Sequence, residues 1–202
     1  MDIQPITLTG KFTRLEPLSE NHVPDLCRVG FDRSIWRYML YGDILTEDQM
    51  RAWVLDMLER QKRGADLPFA VIDLNTGRAI GATRYLDIQP HNRSVEIGGT
   101  WYGLDNQGTG VNTDAKYLLL EHAFEVLECI RVQLKTDSRN LHSQHAIERL
   151  GAVKEGVLRK HIIQPNGFQR DSVIYSIIDD EWPGVKASLE SRLEKILAAR
   201  KV

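Results

Sequence analysis

Cysteine is scarce in this chain: Cys27 and Cys129 are the two in 202 residues. They lie far apart, without Cys-x-x-Cys or metal-ligand spacing and each in an apolar helical context, so both read as buried thiols and no metal is expected. Long apolar runs are missing as well. Nothing approaches the roughly 18 residues that a membrane helix needs, and Met1-Asp2-Ile3 opens no basic-then-apolar leader, so the expectation is a cytoplasmic protein with no membrane partner. Charge of one sign is also lacking. A formal net charge of −2 and a pI near 6.3 supply no overall basic field for nucleic acid. What is present, 42% hydrophobic and 27% charged residues without repeat or low-complexity run, suits a substantial core and one domain spanning 1–202.

The periodicities alternate between strand and helix. Residues 6–8 and 11–15 form a short hairpin around Thr9-Gly10, and Ser19 caps a helix carrying Val23, Leu26, Cys27 and Phe31. Thr46 and Gln49 make a capping box for a helix with Met50, Trp53, Val54, Met57 and Leu58 on its core face, ending at Gly64. Between these helices, Ser34 to Gly42 is aromatic; Trp36 and Tyr38 either line an acceptor cleft or pack in the core. Three antiparallel strands follow at 69–73, 79–86 and 95–102. A glycine loop, a helix from Val111 to Val126 and a strand at 130–136 then form a crossover, which makes the strands at 94–103 and 130–136 parallel neighbours. Asn140 opens a further helix, a hairpin spans 153–178, and a last helix starts at Glu181-Trp182-Pro183. The class is α+β with a mixed sheet.

The chemistry concentrates at Gln107-Gly108-Thr109-Gly110-Val111-Asn112. Two glycines allow a tight turn with inward amides, and the following helix N-terminus adds unpaired N–H groups and partial positive charge, so the loop suits a pyrophosphate. A P-loop needs a lysine that is absent here, and a dinucleotide fingerprint needs glycine at Thr113, which leaves a nucleotide-binding reading weak. The loop resembles the Gln/Arg-x-x-Gly-x-Gly/Ala motif of the GCN5-related N-acetyltransferases, with Asn112 departing from the usual small residue. The segment 136–143, the run 146–152 and Glu181-Trp182-Pro183 extend the resemblance to the RimJ/RimL-like subgroup over nearly the whole chain.

The resemblance implies the acyltransferase fold, with a mostly antiparallel sheet, a splayed parallel pair and flanking helices. It also implies acetyl-CoA as cosubstrate and a primary-amine acceptor, either a peptide N-terminus or a small molecule. Backbone of Gln107, Gly108, Thr109, Gly110, Val111 and Asn112 would hold the pyrophosphate. Backbone of Gly99, Thr100, Trp101 and Tyr102 would pair with the pantetheine arm, with Gly98-Gly99 forming a bulge. Asn140 would contact that arm or serve as an N-cap. Glu96 matches the position of a catalytic base, or else is a structural glutamate paired with an arginine such as Arg84. The tyrosine acid of many relatives is replaced by Ile147, and Ser143 would contact the sulfur instead. Trp36, Tyr38 and the turn at 166–167 would flank the acceptor. A non-catalytic acyl-CoA-binding module is the competing class, and the edge near the final hairpin makes a homodimer plausible.

Overall fold

The computed structural model describes Met1 and residues 3–199, so residue 2 and residues 200–202 of the expected 1–202 domain lie outside the described residues. The order of elements is β1 (Leu8–Thr9), β2 (Thr13–Pro17), α1 (Val23–Gly30), α2 (Arg33–Trp36), α3 (Glu47–Lys62), β3 (Leu67–Asp73), β4 (Arg78–Gln89), β5 (Ser94–Tyr102), α4 (Val111–Glu121), β6 (Arg131–Asp137), α5 (Leu141–Glu148), β7 (Val153–Ile163), β8 (Gln169–Ile178) and α6 (Trp182–Ala199). The strands form an eight-stranded sheet in the order β1-β2-β3-β4-β5-β6-β8-β7. Its strand pairs are antiparallel except β5 and β6, which run parallel as the α4 crossover requires.

Alternation along the strands divides the core between the two faces. Phe69 and Val71 join a cluster with α4 and α6, whereas Ala70 and Ile72 join one with α1 and α3. The α3 capping box forms as expected: Thr46 Oγ1 accepts from Gln49 N at 3.3 Å, and Gln49 Oε1 accepts from Thr46 N at 3.1 Å. Two apolar residues at helix ends, Phe31 of the expected helix face and Val126 of the expected 111–126 helix, stand outward. Helix α1 ends at Gly30 and leaves Phe31 exposed, and the helix after α4 widens into a π segment, His122–Val126. Such widening rotates the apolar stripe, so Val126 stands 66% exposed.

One buried carboxylate ties α4 to the opposite end of the chain. Asp114 accepts from Lys11 N (3.1 Å), Phe12 N (2.8 Å), Thr13 N (2.8 Å) and Thr13 Oγ1 (3.0 Å). Hydrogen bonds to a charged acceptor are worth about 1.5–3 kcal/mol each, so this cluster is a major anchor for the β1–β2 hairpin. It also explains Gly10, because a Cβ there would come 2.4 Å from an Asp114 carboxylate oxygen.

Candidate active site

The loop from β5 to α4 has the expected glycine geometry. Gly108 and Gly110 sit at φ +74° and +96°, in the left-handed region that other residues avoid. A Cβ on Gly108 would meet nothing within 4 Å, so that side of the loop is open; one on Gly110 would come 3.0 Å from Ile196 Cγ2. The rest of the loop is braced. Thr109 Oγ1 donates to Asn106 O at 2.7 Å, Gln107 Nε2 donates to Tyr102 O at 3.3 Å, and Tyr102 OH donates to Asn112 Oδ1 at 3.3 Å. Helix α4 starts at Val111 without a side-chain cap. Among the described residues no side chain pairs its first amides, which with the partial positive charge of the helix start suit a phosphate.

Strand β5 opens beside this loop. Its parallel pairing with β6 runs from Ser94↔Arg131 to Ile97↔Leu134 and stops. Beyond that point β5 stays bonded to β4, and β6 to β8, so two strand edges diverge. The Gly98-Gly99 bulge is present: Ala82↔Trp101 and Arg84↔Gly98 leave Thr83 opposite two residues, Gly99 and Thr100. Gly99 takes φ +57°, and a Cβ there would lie 3.1 Å from Arg84 Nε and 3.2 Å from Tyr41 OH.

On the cleft face Glu96 is 3% exposed. The alternative pairing with Arg84 does not form. Lys135 Nζ and Gln133 Nε2 donate to Glu96 Oε2 at 3.0 and 2.8 Å, while Arg84 pairs with Asp66 at 3.3 Å. The parallel register is the cause, since Glu96 stands opposite Gln133 and two residues from the level of Lys135. Glu96 Oε1 takes no donor among the described residues, and glycine at 98 keeps space beside it, where a Cβ would come within 3.2 Å of that oxygen.

Several cleft residues are not apparent in the sequence. Asp137 lies buried at the end of β6, where Arg139 NH2 donates to it at 2.7 Å and Arg170 Nε stands 3.8 Å away. Burial pushes the Asp137 carboxyl up, but the Arg139 hydrogen bonds and both guanidinium charges outweigh it and hold the group below its ordinary range. Arg139 stacks over Phe168 at 3.7 Å and over Tyr38 at 5.7 Å, and Arg170 NH1 donates to Tyr38 O at 3.3 Å. The segment around Tyr38 and the final hairpin thereby meet over one arginine pair.

His161 reaches the same region through a second irregularity. Between Leu158↔Ser172 and Ile162↔Arg170, β7 carries two extra residues; Lys160 turns at φ +48° and its N–H donates to Asp171 Oδ1 at 2.6 Å. Burial, then the Lys135 and Arg170 charges, lower the His161 pKa against an opposing pull from Glu96. His161 follows Lys160 within this irregularity, exposed yet within the field of Lys135, Arg170 and Glu96, and strand alternation alone does not reveal it.

The remaining candidates divide. Asn140 is an N-cap whose Oδ1 accepts from Ser143 N at 3.1 Å, and the half-buried Ser143 hydroxyl takes no partner among the described residues. Ile147 is core. Trp36 does not line the cleft: it is 2% exposed, its Nε1 donates to Gly30 O at 2.8 Å, and it packs 5.0 Å from Trp101, because its short helix is pulled into the core. Tyr38 is half-buried instead, with Arg139 over its ring and Arg170 on its carbonyl oxygen. Among the described residues no group of three or more His, Cys, Asp or Glu could hold a metal, and no helix is long and apolar enough to cross a membrane.

Residues 13–153 match the acetyltransferase (GNAT) domain family. The match covers more than half of the chain, and the protein belongs to this family of acetyltransferases. Among its relatives, a Bacillus subtilis (strain 168) protein named provisionally as the ribosomal N-acetyltransferase YdaF is 34% identical over 56% of this chain and 61% of its own length. The chain thus spans about three fifths of that relative. The ribosomal-protein-serine acetyltransferase of Escherichia coli (strain K12) is 24% identical over 83% of this chain and 93% of its own. A crystal structure from T. thermophilus, named provisionally as an acetyltransferase, superposes with a TM-score of 0.87 at 40% identity, covering 96% of this chain and all of that one. These likenesses agree with the RimJ/RimL-like resemblance.

Proposed function

We propose that residues 1–202 form one domain that moves an acetyl group from acetyl-CoA to a primary amine by direct transfer, and that the acceptor is a peptide N-terminus. The observation that carries this reading is the divergence of β5 and β6 beyond Ile97 and Leu134, which opens beside the Gly108/Gly110 loop. Loop amides would bind the pyrophosphate, and the free edge of Gly99 to Tyr102 would pair with the arm. Glu96 accepts a proton from the ammonium through Oε1, directly or through a water, while Lys135 and Gln133 hold Oε2. Ser143 offers its hydroxyl to the departing thiolate. The ribosomal-protein names among the relatives, and a cleft bounded by two chain segments, support a peptide acceptor.

The test is thermal unfolding with acetyl-CoA, CoA or NAD, followed by thiol release with N-terminal peptides and small amines. A ligand at a hundredfold excess over Kd stabilises by about 2.7 kcal/mol. Shifts with both CoA species and none with NAD are expected; no shift with either CoA species, in folded protein, refutes the reading. A competing reading, an acyl-CoA-binding module without transfer, draws on the Glu96–Lys135 ion pair. Amine-dependent thiol release excludes it.

A further inference from the structure

A buried ammonium lies behind the β5 bulge. Lys116, in the second turn of α4, is 6% exposed. Its Nζ donates to Thr100 Oγ1 at 2.6 Å and reaches Thr83 Oγ1 at 3.4 Å, and the two hydroxyls lie 2.8 Å apart. Thr83 and Thr100 are the residues that face each other across the bulge. No carboxylate pairs with the ammonium among the described residues: neighbouring Asp114 is turned to the β1–β2 hairpin, and Tyr117 bonds to Glu121 and Glu190. Thr100 is half-buried on the segment where β5 has left β6, so it links the enclosed lysine to the opening.

An enclosed ammonium held by two hydroxyls is an expensive way to fill space. Desolvation lowers the Lys116 pKa to about 7. A methionine of similar length would pack there with no charge to desolvate, so stability does not account for lysine.

We propose that Lys116 is a positioning residue for acetyl transfer: through Thr100 it holds the bulge in shape and places positive charge behind the backbone edge of residues 99–101, against which the arm and its acetyl oxygen, as that oxygen gains negative charge, would lie. This rests on the acetyltransferase reading above. Preorganised donors at such an oxygen act most strongly when they need not reorganise, which a buried lysine fixed to the strand provides.

The test compares wild type with Lys116→Met, Thr100→Val and Thr100→Ser. Readouts are Tm, acetyl-CoA affinity, and kcat and KM across pH. Lys116→Met is expected to keep or raise Tm, to hold acetyl-CoA affinity within about twofold, and to lower kcat by about tenfold or more. Thr100→Val should follow it in kcat, and Thr100→Ser should restore turnover. Wild-type kcat should fall as pH rises through about 7, where Lys116 loses its proton, and that limb should vanish in Lys116→Met. The side chains facing Nζ from β4 and β5 are hydroxyls, so no second titrating group contacts it there. Unchanged kcat in Lys116→Met or Thr100→Val overturns the inference. So does a lowered Tm, or failure to fold, in Lys116→Met, which marks a structural lysine. A wild type without acetyl-CoA shift or transfer ends the acetyltransferase reading and this inference with it, whereas an active wild type matched by Lys116→Met ends the inference alone.

Discussion

Asp114 and Lys116 lie two residues apart on α4, both buried, and their surroundings are opposite. Four donors from the β1–β2 hairpin converge on the aspartate, while the lysine meets two hydroxyls and, among the described residues, no counter-charge. A buried charge is stabilising only when its lost hydration is replaced in full. The aspartate therefore holds the fold together, and the lysine is a cost the fold carries at the bulge.

Removing the anchor is the strongest way to test that contrast. Asp114→Ala orphans three amides and a hydroxyl, and since each buried donor left unpaired costs about 1–3 kcal/mol, a loss of about 3 kcal/mol or more is expected in chemical denaturation; a loss below about 1 kcal/mol would erase the distinction. The pH dependence of stability sharpens the other side. The folded Lys116 pKa of about 7 lies below its ordinary 10.5, so the unfolded chain binds more protons between those values and stability rises with pH. Lys116→Met should lack that component, worth at most about 1.4 kcal/mol per pH unit across the window. Parallel pH curves for the two proteins would show that the lysine titrates normally.

The cleft provides the smaller tests, since its charges are paired. Glu96→Gln should keep acetyl-CoA binding and lower kcat by about a hundredfold; equal turnover would leave Glu96 as the ion-pair partner of Lys135 and nothing more. Ser143→Ala is expected to lower kcat by about tenfold at similar acetyl-CoA affinity, about 1.4 kcal/mol of barrier. No change would remove the hydroxyl from the mechanism.

Much of the fold was legible because its signals are local. Thr46 and Gln49 cap α3 from three residues apart, Gly98-Gly99 marks the bulge, and Gly108 and Gly110 mark left-handed turns. The parallel β5–β6 pair follows from the length of the crossover. The partners of charged side chains were not legible. Arg84 lies near Glu96 in the hairpin, so it looked a suitable partner, yet the parallel register brings Lys135 to that carboxylate. Trp36 carries the composition of a cleft residue and the environment of a core one.

By itself the sequence determined most of the elements, the capping box at Thr46, the left-handed glycines of the loop and the family resemblance, because those signals are carried by residues close together in the chain. Tertiary structure decided where the charges stand. It set Asp114 against amides more than a hundred residues away, left Lys116 with two threonines, and brought His161, Arg139 and Arg170 to the cleft. The energy of a buried charge depends on everything within a few ångströms of it, and those neighbours are assembled from distant strands only when the sheet closes.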